Sequence, residues 1–216
     1  MPESTKRSEN KTRRYQSIVQ TAEMLFLEHG LDQVQMQDVA DKEEIGIATL
    51  FRYFPKKDRL IVAVASHNLE KHVSSFFEIV YEDIPAYDRL IKLFDLLTID
   101  SSDTLSKSAV FREAFESYAS FSQKPLDTIQ DYIDTQKRVA DLVLHLIDEG
   151  IRDKSFRTDV PVKETIITAI NSYGTFGSNI TLKSPITYLE EDIAPHRQQQ
   201  RLKEMLLSYV KGNDST

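Results

Sequence analysis

Apolar residues recur at helical spacing along the whole chain, and the alternation that marks strands is negligible. Tyr15, Ile18, Ala22, Leu25 and Phe26 form one stripe, which predicts a helix over residues 11–29 that Gly30 ends. Residues 1–10 are polar and read as a flexible terminus or a mobile basic arm. Met36, Val39 and Ala40 predict a short second helix, followed by a turn at Glu44-Ile45-Gly46. Gly46 suits the N-cap of a third helix running from Ile47 to Phe54. In that helix Ile47, Leu50, Phe51 and Phe54 share one face, and Ala48, Thr49, Arg52 and Tyr53 point outward. Pro55 stops it.

The remaining pattern is also helical. Leu60, Ile61, Val64, Leu69, Val73, Phe76, Phe77 and Val80 predict a long helix over 57–82, broken by Pro85. Further helices are expected over 86–99, from a turn at 100–104 to Phe121, and from Pro125 to Glu149, where Gly150 stops the chain. A connector to Pro161 precedes a helix over 162–182. A loop with Pro185 and Pro195 then leads to a last helix over 195–211, striped by Leu202, Leu206, Tyr209 and Val210. The expected class is all-α, with a three-helix domain over 1–56 and a larger helical domain over 57–216.

With 216 residues, 40% of them hydrophobic, the chain can bury a sizeable core. It has no cysteine, which rules out disulfides and thiol catalysis and fits the cytoplasm. The charged N-terminus carries no signal-peptide pattern, and the longest apolar run, Leu60 to Ala65, is too short to span a bilayer. A cytoplasmic chain without membrane contact is expected.

A net charge of −7 argues at first against nucleic acid. Its distribution changes the picture. Residues 1–60 hold ten Lys/Arg and ten Asp/Glu, whereas the rest holds 17 against 24. Basic residues gather at Lys6, Arg7, Lys11, Arg13 and Arg14, and again at Arg52, Lys56, Lys57 and Arg59. A local basic footprint is all that counterion release requires.

Two short helices joined by a tight turn, the second exposing methyl, hydroxyl, guanidinium and phenol groups, suit a DNA major groove. Arg52 can pair with guanine O6 and N7, and the Thr49 methyl can meet a thymine methyl. Tyr53 suits phosphate or sugar, Lys57 a phosphate at a helix start, and Gln37 a weaker phosphate contact. The segment Ala48-Thr49-Leu50-Phe51-Arg52-Tyr53-Phe54-Pro55-Lys56-Lys57, preceded by Asp38-Val39-Ala40, resembles the helix-turn-helix of the TetR family of transcriptional regulators. The likeness runs from about Ser17 to Leu60, and the run Gly150 to Pro161 is similar to that family's loop before its dimerisation helices.

The resemblance implies a homodimeric, ligand-responsive regulator, expected to be a repressor released from a palindromic operator by a small-molecule effector. The sequence departs from the family pattern at several positions. Gln35 and Gly46 stand where threonine and serine caps are usual, and Glu44 where a glycine makes the turn. Phe51 replaces a phosphate-reaching tyrosine, and Lys56 a capping serine. A module that binds small molecules or proteins through a scaffold with weakened DNA contacts is the alternative.

Phe111, Phe115, Tyr118, Tyr132, His145, Asn171, Tyr173 and Phe176 are candidate effector contacts, although aromatics at helical spacing also serve as plain core. Ile170, Gly174, Gly177, Leu202, Leu206, Tyr209 and Val210 are the candidate dimer interface, with the two glycines allowing close helix approach. His67, His72 and His145 lack metal-ligand spacing, and no nucleophile elbow, phosphate-binding loop or dinucleotide fingerprint is present. Neither cofactor, metal nor enzymatic activity is expected.

Overall fold

The computed structural model describes residues 2–98, 104–183 and 194–212. Among them nine α-helices follow in order: α1 (Pro2–His29), α2 (Met36–Lys42), α3 (Ile47–Tyr53), α4 (Lys57–Val80), α5 (Ala86–Leu97), α6 (Thr104–Phe121), α7 (Ile129–Arg152), α8 (Val162–Lys183) and α9 (Pro195–Val210). The class is all-α. The sole β pairing among the described residues is a bridge between Phe156 and Lys211. No helix there is long and apolar enough to cross a membrane. The expected turn at 100–104 and the loop around Pro185 fall almost wholly outside the described residues.

Three expectations about helix ends are corrected. Helix α1 starts at Pro2, so most of the polar residues expected to be irregular are helical. Proline is favoured in a first turn because its missing N–H would have no helical partner there. Helix α7 starts at Ile129 rather than at Pro125, after Thr128 turns the chain with φ 67°. It then runs past Gly150 to Arg152. Gly150 is not a stop: a Cβ there would lie 2.1 Å from Cδ2 of Phe156, whose buried ring packs on the helix backbone.

The chain forms two compact units, Met1–Lys71 with Phe111–Thr135, and His72–Val110 with Gln136–Thr216. The division falls inside α4, downstream of the boundary expected at residues 56 and 57. In the first unit Ile18, Ala22, Phe26, Leu50, Phe54 and Leu60 are buried, because the apolar stripes of its helices turn toward one another. Phe26 stacks on Phe111 at 6.2 Å, and Phe115 meets Tyr132 edge-on at 4.7 Å. Buried Glu23 accepts hydrogen bonds from Asn68 (3.1 Å) and Lys71 (2.7 Å). In the second unit Leu90, Leu93, Phe94, Leu146, Phe156 and Tyr173 form the core, with α8 packed along α9 and against α5. The buried guanidinium of Arg89 donates to the Val80 carbonyl and to Glu149 (2.5 Å).

Candidate nucleic-acid interface

The turn between α2 and α3 is built by backbone chemistry. The Asp38 carboxylate accepts the Gln35 N–H at 2.7 Å and satisfies a free donor at the start of α2. At the other end the Glu44 N–H donates to Asp41 (3.2 Å) and the Ile45 N–H to Ala40 (2.9 Å). Those two bonds make a Schellman motif, whose turning residue must be left-handed. Glu44 occupies that place with φ 54°, a conformation that suits glycine better. Beside it, Glu43 accepts the hydroxyls of Ser17 (2.5 Å) and Thr21 (2.6 Å), which ties the turn to α1.

Gly46 caps α3 in extended conformation, and its carbonyl accepts the N–H groups of Thr49 (2.7 Å) and Leu50 (3.2 Å). Leu50 and Phe54 anchor the helix in the core, with Phe54 packed on Tyr15 at 4.9 Å. Phe51 does not join them; it is 44% exposed. In a helix of two turns the buried strip is narrow, and Phe51 lies about 100° around from Leu50. Of the four residues expected to point outward, Ala48 and Arg52 are exposed and Thr49 and Tyr53 half-buried. Arg52 donates to the Thr49 hydroxyl at 3.2 Å and meets no carboxylate among the described residues.

The two remaining candidates are already engaged within the protein. Exposed Gln37 donates to Asp41 at 2.7 Å. The Lys57 ammonium donates to the Leu31 carbonyl at 2.6 Å, leaving two of its three protons for other acceptors. Sequence reasoning did not place α1 beside this surface. Asn10, Lys11, Arg13, Arg14 and Ser17 of α1, with Arg52 and Tyr53 of α3, line one groove of about 830 Å³. The basic residues were legible, but their convergence on Arg52 was not.

The eight candidate effector residues are divided between the two units. In the first, buried Phe111, Phe115 and Tyr132 are core, and Tyr132 donates to Glu116 at 3.0 Å. Tyr118 borders a cleft of about 720 Å³ with His29 to Gln33 and the exposed Phe121. Its hydroxyl donates to Asp58 at 2.6 Å, and that carboxylate pushes its pKa up to about 12. In the second unit Tyr173 is buried, packed on Phe94 at 4.8 Å and bonded to Thr98 at 2.7 Å. His145 lies against Tyr81 and Glu149, Asn171 is exposed, and Phe176 borders a groove along α9. Among the described contacts, Phe115 and Tyr132 are brought together.

Of the candidate interface residues, Ile170, Gly177 and Val210 are buried within the chain. Leu202 and Leu206 are half-buried, Tyr209 is 53% exposed, and nothing lies within 4 Å of a Cβ built on Gly174.

Residues 18–64 match the family model of bacterial regulatory proteins, tetR family. The chain carries the N-terminal domain of the TetR family over these residues. The matched residues run from Ile18, the first buried position described in α1, through the helix-turn-helix into α4. No curated protein sequence matches the chain. Solved structures do match its fold. A transcriptional regulator from Saccharomonospora viridis in complex with choline is 17% identical, with 94% of this chain and 100% of that one covered and a TM-score of 0.71. A TetR transcription regulator from Haloarcula marismortui is 20% identical over 92% and 97% of the two chains, with a TM-score of 0.66. The regulator FadR of Bacillus subtilis, in complex with stearoyl-CoA, is 16% identical over 91% and 99%, with a TM-score of 0.63. At such identities the likeness is one of fold. The chain shares the helical architecture of these regulators with side chains of its own.

Proposed function

We propose that the chain is a cytoplasmic repressor of the TetR family that binds a palindromic operator as a homodimer and leaves it when a small molecule binds. Residues 1–56 read DNA, and residues 57–216 carry effector binding and dimerisation. The observation that carries the reading is the outward face of α3: Thr49, Arg52 and Tyr53 project from a helix whose other side is held by Leu50 and Phe54. Arg52, without a carboxylate partner among the described residues, is free to pair with guanine, and Ala48 lets the helix approach base edges closely. Gln37 and Lys57 add phosphate contacts through donors not spent inside the protein.

A palindrome needs two such helices roughly 34–36 Å apart, or a multiple of that distance. The exposed Met205 and Tyr209 of α9 and the open space at Gly174 of α8 support a twofold contact through these helices. The ligands bound by the S. viridis and B. subtilis proteins support a small-molecule effector, and do not fix its chemistry.

The test uses the full chain and a library of duplexes with randomised centres. The wild type should enrich a palindrome, and Arg52→Ala should lose preference at one base position by about 1–3 kcal/mol. Binding of every duplex alike, by both proteins, would sink the reading. Leu206→Glu tests the dimer: sedimentation should show monomer or unfolded chain, with palindrome binding lost. A dimer that still binds would remove these helices from the interface.

A further inference from the structure

The cleft of about 720 Å³ that Tyr118 borders lies wholly within the first unit, between the connector after α1 and the last turns of α6. His29 to Gln33 form one wall, and Ala114, Ser117, Tyr118 and Phe121 form the other. Helical spacing makes the second wall, because positions 114, 117, 118 and 121 fall on one face of α6. Ala114 and Ser117 supply its small side chains, Tyr118 and Phe121 its rings. Gly30 opens the first wall with φ 84°, the left-handed turn that takes the chain off the end of α1.

The cleft is negative where it is charged. Asp32 is exposed and has no hydrogen-bond or ion-pair partner among the described residues. The Tyr118 hydroxyl donates to Asp58, and after that bond and burial the charges of Asp58 and Asp32 push its pKa up further. Among the described residues no lysine or arginine lines the cleft. Lys57, next to Asp58, directs its ammonium to the Leu31 carbonyl at 2.6 Å. The one imidazole on the wall, His29, lies 3.8 Å from Glu28. Phe121 adds a ring that is 86% exposed, the largest fraction of any large apolar side chain described. An organic cation would satisfy both features at once, its charge meeting Asp32 and its apolar body covering Phe121. An anion would be repelled, and a neutral apolar molecule would desolvate Asp32 without giving it a partner.

We infer that this cleft binds a small organic cation, an ammonium group carried on an apolar body, with Asp32 as its counter-ion and the rings of Tyr118 and Phe121 as its apolar wall. The volume falls within the roughly 300–1,000 Å³ of small-molecule sites. The site goes beyond the effector reading above, which rests on residues 57–216, because one wall here is the connector that enters the helix-turn-helix. It stands on the cleft alone and does not depend on DNA binding.

The probe is benzyltrimethylammonium, a permanent cation with one ring, titrated with full-length protein and followed by its NMR line width. Its Kd should be on the order of 1 mM, the affinity that about eleven non-hydrogen atoms reach at ordinary ligand efficiency. Asp32→Asn and Phe121→Ala should each weaken binding about three- to fivefold. Phe121→Trp should tighten it, because indole is the best ring for a cation. Both side chains are exposed, so circular dichroism melts of the variants should coincide with the wild type. Benzyl alcohol, with the same ring and no charge, should bind about fivefold more weakly than the cation. Benzyl alcohol bound as tightly as the cation would overturn the charge assignment. Wild-type affinity in the double variant Asp32→Asn/Phe121→Ala would put the cation elsewhere and overturn the site, as would a wild type that does not bind the cation.

Discussion

Two arginines show how one residue type is put to opposite uses in the two units. Arg89 is buried in the second unit and spent on structure: it holds the last carbonyl of α4 and the Glu149 carboxylate. Arg52 stands on the surface of the first unit and is held by one hydroxyl. A buried guanidinium must be paired, because the cost of desolvating a lone charge exceeds the stability of a typical domain's single contacts. An exposed one can stay unpaired at little cost, since water and salt screen it. The lesson is that charge available for a partner is found where the protein has left it unsatisfied. Lys203 with Asp95, and Arg157 with Asp159 (2.6 Å), are paired although half-buried at most, whereas Lys11 and Arg13 are exposed and meet no carboxylate among the described residues.

The largest effect that would break this comparison is expected at the buried site. Arg89→Leu removes the donor to the Val80 carbonyl and leaves Glu149 with only its more exposed partners Arg152 and His145, which should cost about 1.5–3 kcal/mol, read from the midpoint of urea unfolding. A loss under roughly 1 kcal/mol would show that the pair is structurally idle. The same pair has a pH signature. Its hydrogen bond from Arg89 is the main cause that holds the Glu149 carboxyl below its ordinary 4.5. A depressed carboxylate contributes stability above its unfolded pKa and loses it as pH falls through the folded value. Wild-type stability should therefore drop below about pH 4.5 more steeply than that of Arg89→Leu.

Next in size is Lys57→Ala, which sharpens the contrast because Lys57 belongs to both classes. Its bond to the Leu31 carbonyl is lost, with a stability cost of about 1.5 kcal/mol. DNA binding should weaken equally for all sequences, with the salt slope reduced by about one. A variant that loses stability and keeps the slope would confine Lys57 to structure.

The smallest predicted change is a gain. Glu44→Gly removes a side chain from the left-handed turn and should stabilise the fold by about 1 kcal/mol in thermal unfolding. A destabilised variant would mean that the Glu44 side chain contributes something the turn geometry does not reveal.

The helix-turn-helix was readable without coordinates because its determinants are local. Gly46 and Pro55 bracket α3, and Leu50 and Phe54 repeat at one turn, so cap chemistry and periodicity specify the element and its outward face. The same locality explains the errors. Periodicity put Phe51 with the core, but how wide a strip is buried depends on what packs against it. Gly150 carries the signature of a helix end, yet it serves the ring of Phe156, six positions on, inside a continuous helix. Arg89 did leave a trace, a charged residue within the apolar stripe of Ala86, Leu90 and Leu93, that could have marked it as buried.

What the amino-acid sequence determined by itself is therefore the all-helical class, the bounds of α3 and the exposure of Ala48 and Arg52 on it. These follow from contacts three or four positions apart, which the geometry of one helix dictates. Tertiary structure alone decided the groove shared by Arg13 and Arg52, the partner of Arg89, and the division of the candidate effector residues between two units. Each joins side chains tens of positions apart, and their meeting depends on the offsets at which helices pack. Many offsets satisfy the same apolar stripe, and only the packed core selects one.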